Sequence, residues 1–372
     1  MRALRVMVTA VLAVVLSVGL VPDGVPAAEA GRAPAPVLDR PTTTTKSVVL
    51  TGRARPRALV SVQVRTSRWV TVRRVRAAST GRYRVVVPAP ATTRSFRSVS
   101  LRRASTVRRV VPLKPPAPPT DACGARPKRR TGGYYACTFL EDFTGSSLDT
   151  DRWLGQNMLG QGDRCVAAGP RTVAVADGTL RLSVVQASEE EPCPQRADGS
   201  RGSYAAGWIS TYGRWSQQYG RFEARMRSQA SDLPGLHEAF WLWPDIRFSS
   251  DADWPNSGEI DIAETYSSHP DLAIPFLHYS ADSGGPVPGL NTAWKCRARR
   301  GEWHTYALEW TADRLEVFVD GRSCLVNTSG AASFRKPFII NLSQLLGVGT
   351  NLWTGSVPLP ATMEVDWVKA WS

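Results

Sequence analysis

Histidine is scarce in this chain: four residues in 372, at positions 237, 269, 278 and 304. No two cysteines form a C-x-x-C and no two histidines an H-x-x-x-H, which argues against a zinc centre. Long apolar runs are also few. After residues 6–21, no segment approaches the roughly 18 consecutive apolar residues of a membrane helix. The mature chain is therefore expected to be soluble. Acidic residues are nearly missing from the front. Residues 31–130 hold 24 Lys and Arg against two acids, Asp39 and Asp121. From residue 131 onward the balance reverses, with 20 Lys and Arg against 28 Asp and Glu. The net charge of +14 thus belongs to the front of the chain. Nothing in that basic front resembles a nucleotide-binding loop or a repeat array.

The N-terminus supplies a context for these absences. Met1-Arg2-Ala3-Leu4-Arg5 precedes the apolar run, and Ala28-x-Ala30 offers a small-residue cleavage site. This is the pattern of a secretory signal peptide over residues 1–30, and the run is too short for a membrane span. Export is expected, which argues against nucleic acid as the partner of the basic front. An anionic cell-surface polymer fits that charge better, held by an affinity that falls with salt. Six cysteines, at 123, 137, 165, 193, 296 and 324, suit an oxidising compartment. Sequence alone does not choose among their 15 pairings; the expectation is that neighbours pair, 123 with 137, 165 with 193 and 296 with 324.

Length permits two domains. Within residues 31–113, the stretch from about Thr43 to Leu113 alternates apolar and polar in six or seven short runs, among them Ala58-Leu59-Val60-Ser61-Val62-Gln63-Val64 and Tyr83-Arg84-Val85-Val86-Val87. Turn residues such as Thr80-Gly81 separate them, so a small immunoglobulin-like β-sandwich is expected. Lys114-Pro115-Pro116-Ala117-Pro118-Pro119 is stiff and extended, and opens a Pro-rich, basic linker over 114–135. Residues 136–372 form the main domain. Asn327-Thr328-Ser329 matches a glycosylation acceptor.

Within that domain, Glu259-Ile260-Asp261-Ile262-Ala263-Glu264 gathers three carboxylates in six residues. On a helix, Glu259 and Glu264 would stand about 140° apart. On a strand, Glu259 and Asp261 share one face and Ile260 and Ile262 the other. One extra residue bulged out near Ile262-Ala263 returns Glu264 to the acidic face. Like charges side by side need a reason. Retaining glycoside hydrolysis gives one: two carboxyl groups about 5–5.5 Å apart, one nucleophile and one acid/base. The negative neighbour raises the pKa of the acid/base, so it still holds a proton when substrate arrives. Five strand residues span roughly 16 Å, so the side chains must lean together across a curved sheet. Tryptophans surround the motif, 13 in the chain, and their faces suit the C–H faces of sugars.

The acidic strand resembles the bulged active-site strand of glycoside hydrolase family 16, in its laminarinase-like branch. Glu141-Asp142-Phe143-Thr144-Gly145, Tyr219-Gly220-Arg221-Phe222-Glu223-Ala224-Arg225, Trp303-His304-Thr305-Tyr306-Ala307-Leu308-Glu309-Trp310 and Met363-Glu364-Val365-Asp366-Trp367-Val368-Lys369 resemble further landmarks of that family. The resemblance runs from about residue 140 to 372. It implies an all-β fold, a concanavalin-like β-jelly-roll sandwich, with Glu259 as nucleophile, Asp261 as its assisting acid and Glu264 as general acid/base. It also implies a structural calcium between Glu141 and Asp366; no cofactor is required. Three stretches depart from the laminarinase pattern: Gly235-Leu236-His237-Glu238-Ala239-Phe240-Trp241 where "GLWPAFW" is common, Gly207-Trp208-Ile209-Ser210-Thr211, and Asn341-Leu342-Ser343-Gln344-Leu345-Leu346-Gly347.

The sequence therefore points to a secreted, monomeric, retaining endo-β-glycanase acting on β-1,3-glucan or a related polysaccharide. Trp254, Trp241, Trp208, Trp353 and His278 are the expected substrate-binding residues. Arg221 and Arg225, flanking Glu223, either supply positive potential beneath the acids or pair with acids on neighbouring strands. Loops around His237-Glu238 and over residues 281–291 are expected to set linkage specificity. The competing readings are a transglycosylase on the same residues, a lectin-like protein without catalysis, and a wall-attachment protein driven by the basic front.

Overall fold

The computed structural model describes residues 33–281 and 289–372. The signal peptide expected over 1–30 and most of the 281–291 loop lie outside the described residues. The chain divides into two compact units, Met1–Pro116 and Ala117–Ser372.

In the first unit, two antiparallel sheets share one core. One sheet pairs Ser47–Arg53 with Val37–Leu38, Thr42–Thr43 and Arg82–Pro88. The other joins Trp69–Arg76, Leu59–Arg65, Arg94–Ser100, Arg103–Ala104 and Arg108–Val110. Strict alternation explains the packing: Val48, Leu50, Val60, Val62, Val85, Val87 and Phe96 point inward, while the intervening Arg residues face water. Gly52 is fixed by a close approach. A Cβ there would lie 2.0 Å from the Val37 carbonyl, which already accepts the Tyr83 hydroxyl at 2.7 Å.

The second unit begins earlier than the sequence reading placed it. Residues counted there as linker form the hairpin Thr120–Asp121 and Gly124–Ala125, and Cys123 bonds Cys137. Cys123 and Tyr135 pack on Trp371 in a small satellite cluster. The boundary falls within the Pro-rich run, and the residues that follow it already join the second unit through Cys123. All three disulfides join neighbours, 123 to 137, 165 to 193 and 296 to 324.

Two large sheets face each other across the main core. The six-stranded sheet runs Leu154–Gly155, Trp208–Ser210, Phe338–Leu346, Leu236–Pro244, Glu259–Tyr266, Ile274–His278, all antiparallel. The second sheet has eleven strands, with Ala361–Trp371 and Gly220–Arg227 at its middle. Ile209, Phe240, Leu242, Ile260, Ile262, Ile340 and Leu342 from the first sheet meet Phe222, Leu308, Trp310, Met363 and Val365 from the second. This is sheet-on-sheet packing around one apolar layer. It leaves the other face of the six-stranded sheet free to carry polar and aromatic side chains. Arg221 and Arg225 lie on the eleven-stranded sheet and pair with acids, Arg221 with Glu223 and Glu309 and Arg225 with Asp366. Asn327 is buried, and its Nδ2 donates to the Leu290 carbonyl at 3.1 Å and to the Tyr279 hydroxyl at 3.3 Å. The folded chain does not present it for glycosylation.

Candidate active site

The acidic strand is Glu259–Tyr266, and its ladder slips one residue between Asp261 and Ala263. Phe240 lies opposite Ala263 while Trp241 lies opposite Asp261, so Ile262 is the extra residue. Ile262 and Ala263 are consecutive and both buried in the main core. Alternation is thereby reset, and Glu259, Asp261 and Glu264 all face away from the core. The cause is local: two apolar neighbours both gain by pointing inward, and the bulge lets them.

The acids do not stand alone. His278 lies opposite Glu259 on the next strand, with Nε2 3.2 Å from Asp261 Oδ2 and 4.0 Å from Glu259 Oε2. Ligand atoms of Glu259, Asp261 and His278 lie within 4.8 Å of one another. Trp254 Nε1–H donates to Glu259 Oε2 at 2.8 Å, while the indole itself is 45% exposed, open to a ligand. On the other side, His237 Nε2 shares a 2.8 Å hydrogen bond with Glu264 Oε1. The imidazole lies stacked on Tyr266, 4.6 Å between centroids and 6° between planes.

Burial, and next the charge of Asp261, push the Glu259 carboxyl above its ordinary range, against the opposing effect of His278 and Trp254. Asp261 is raised as well, by burial first and then by the charge of Glu264. Two carboxyl groups within 4.8 Å of each other in a dry setting do not both ionise freely, so the Glu259–Asp261 pair retains a proton. The Trp254 N–H favours the anion on Glu259, which leaves Asp261, the more deeply buried, as the proton's place. Burial would lower the His237 imidazole, but its bond to Glu264 and the charges of Glu264 and Glu238 outweigh that, and it is held above its usual value.

A tryptophan row continues from the acids. Trp241 lies opposite Asp261 on one side and Asn341 on the other. Trp208 packs 5.0 Å from Trp241 and donates Nε1–H to Asn341 Oδ1 at 3.0 Å. Trp243 stands edge-on to Trp241 at 5.9 Å. Together they line a cavity of about 390 Å³. Trp353 is placed elsewhere: it packs on Tyr204 at 4.7 Å in a satellite cluster and donates to the Val357 carbonyl. Gly235, at φ +144°, passes beneath that ring, where a Cβ would meet Trp353 Cδ1 at 2.7 Å.

Glu141 and Asp366 do not fit a calcium ion. Glu141 is buried and accepts from the Phe143 N–H at 2.8 Å and Trp153 Nε1–H at 3.2 Å. Asp366 accepts from the Arg225 guanidinium. Among the described residues, neither joins a group of three potential ligands. The calcium expectation fails because each acid already has its own donor. Sequence reading treated His237 and Glu238 as loop; both lie in the strand Leu236–Pro244. The alternation of that strand, counted back from Trp241, places His237 on the acidic face and was the available signal for it.

A model of the family described as glycosyl hydrolases family 16 matches residues 164–369. The chain belongs to family 16. It is 26% identical over 205 residues to an endo-1,3-1,4-β-glycanase, EglC, of Rhizobium meliloti, a match covering 55% of this chain and 40% of that protein. It is 28% identical over 269 residues to a glucan endo-1,3-β-glucosidase of Cryptopygus antarcticus, covering 64% of this chain and 93% of that one. The R. meliloti protein is thus matched over less than half its own length. Among solved structures, the laminarinase catalytic domain from Thermotoga petrophila superposes with a TM-score of 0.55 at 19% identity, covering 64% of this chain and 98% of that one. The family's jelly-roll architecture is the fold of the second unit.

Proposed function

We propose that this family 16 protein is a secreted, retaining endo-β-glycanase that cleaves β-1,3-glucan or a related β-linked polysaccharide. The observation that carries the reading is the bulged strand, which turns Glu259, Asp261 and Glu264 to one face of the sheet, where Trp241 lies opposite Asp261. In the first step Glu259 attacks the anomeric carbon and Glu264 protonates the departing oxygen. In the second, Glu264 takes a proton from water, whose oxygen displaces Glu259 from the sugar. Asp261, holding a proton beside Glu259, lets that group ionise. Trp254 fixes the Glu259 carboxylate through its N–H and offers its ring to the adjacent sugar. Trp241 and Trp208 extend the sugar platform. Names of relatives support the substrate class, since one is named an endo-1,3-1,4-β-glycanase and the other a glucan endo-1,3-β-glucosidase.

The test is reducing-end release from laminarin, mixed-linkage glucan, agarose, carrageenan, xylan and galactan by wild type and Glu259→Gln. Cleavage of one polymer by wild type alone supports the reading. Binding without cleavage by wild type overturns it in favour of a lectin-like protein.

The first unit has a separate role in this proposal: retention on an anionic polysaccharide. Residues 33–116 hold 19 Lys and Arg against Asp39 alone. The ion pairs of the described residues all lie in the second unit. Arg97, stacked 4.3 Å over Trp69 and bonded to Gln63, shows that this charge is partly organised on the open sheet face.

A further inference from the structure

We propose that His237 and Glu264 act as one proton-holding pair, with the imidazole as a positioning residue for the acid/base of the reaction proposed above. Three independent pieces of geometry meet here. Glu264 Oε1 lies 2.8 Å from His237 Nε2, closer than any other charged partner the structure gives this carboxylate. The imidazole cannot turn away, because its plane is stacked on Tyr266, directly opposite in the ladder. And the strand is pinned one residue further on, where Glu238 is buried in a two-pronged pair with Arg300, at 2.6 and 2.7 Å, and accepts the Thr265 hydroxyl at 2.7 Å.

Among the described residues, four titratable or charged groups bear on His237. From its own strand comes Glu238, from the acidic strand Glu264 and Tyr266, and from the segment behind Glu238 comes Arg300. Leu345, its neighbour on the other side, does not titrate. The Tyr266 phenol is held protonated by burial and by the Glu264 charge. The nearest charge that can change is therefore that of Glu264.

Proton balance follows. Before the first step the pair carries one exchangeable proton, delivered from the Glu264 oxygen that does not face His237, while the Nε2–H keeps its hydrogen bond to Oε1. That proton passes to the glycosidic oxygen as the bond from that oxygen to the anomeric carbon breaks and the Glu259 ester forms. Glu264 is left anionic beside a neutral imidazole. In the second step the pair takes one proton from water as the water oxygen bonds the anomeric carbon and the ester breaks. Two coupled groups lose their protons as a pair. His237, held above its usual value by Glu264, keeps a proton on the pair as pH rises. The Trp common at this place in laminarinases has no such capacity.

Two measurements test this. The first is the chemical shift of the His237 ring proton followed against pH, assigned among only four histidines with His237→Gln. In wild type it should titrate above the ordinary histidine value, and in Glu264→Gln it should fall by a pH unit or more. This arm needs no substrate, so it stands apart from whether the glycanase reading holds. An unchanged titration in Glu264→Gln overturns the pair. The second arm is kcat/KM against pH on whichever polymer is cleaved, for wild type, His237→Gln and His237→Trp. The alkaline limb should move to lower pH, with about a tenfold loss near pH 8 and little change near pH 5. A uniform loss at every pH would mean that His237 only supports the fold, and overturns the proposal.

Discussion

At the residue scale the site trades stability for chemistry. Glu259 is held above its unfolded pKa chiefly by burial. A carboxyl raised in this way prefers the protonated folded state. Its cost is absent below the unfolded value of about 4.3 and grows as pH rises toward the folded pKa. Glu259→Gln removes that cost while keeping an oxygen to accept from Trp254. We expect the variant to be inactive yet to melt about 2–4 °C higher than wild type near pH 8, with the gap closing near pH 4, read by thermal melts across pH. A melting point unchanged at both pH values would show that Glu259 ionises without penalty.

At the scale of elements, the strand Leu236–Pro244 ties the site together, and its two faces do different work. Inward, Glu238 and Arg300 form a fully buried pair, with side-chain exposures of 0% and 1%. Such pairs are weak sources of stability when intact, yet removing one partner strands the other charge. Arg300→Met is expected to cost about 3–5 kcal/mol in denaturant unfolding. Arg300→Met with Glu238→Leu should recover most of that loss, since no buried charge remains. Outward, Trp241 and its neighbour Trp208 meet substrate in the proposal. Trp208→Ala should raise KM about tenfold with kcat within about twofold, as expected for loss of binding shared by ground and transition states. Steady-state kinetics on the cleaved polymer decides this, and a loss confined to kcat would move Trp208 into the chemistry.

At the scale of the molecule, charge separates the two units as cleanly as contacts do. Their cores are distinct, and the Cys123–Cys137 bond belongs to the second. Residues 117–372 alone should therefore keep the full rate on soluble glucan. They should lose retention on polygalacturonate, which the full chain is expected to show at low salt and to lose as salt screens it. Equal retention by the truncated protein would place the polymer contact in the second unit. Cys123→Ser should destabilise that unit by about 3 kcal/mol, the loop entropy of a short disulfide ring, measured by denaturant unfolding.

Much of this was legible in the sequence because it depends on short-range rules. Period-two alternation gave the strands, and two adjacent apolar residues between Asp261 and Glu264 gave the bulge. Neighbour pairing of the cysteines was one expectation among fifteen, and the structure has it. The basic front stood out by counting. What lay beyond reach depends on which strands become neighbours. His237 and Glu264 are 27 residues apart and meet only because their strands pair with a one-residue slip. Glu238 and Arg300 meet across 62 residues, and Glu141 and Asp366 each take a donor of their own, Trp153 and Arg225. Sequence determined which side chains share a face of each strand, since backbone geometry settles that locally. Tertiary structure decided which side chains touch across strands, since a hydrogen bond depends on a few tenths of an ångström that only the packed sheet fixes.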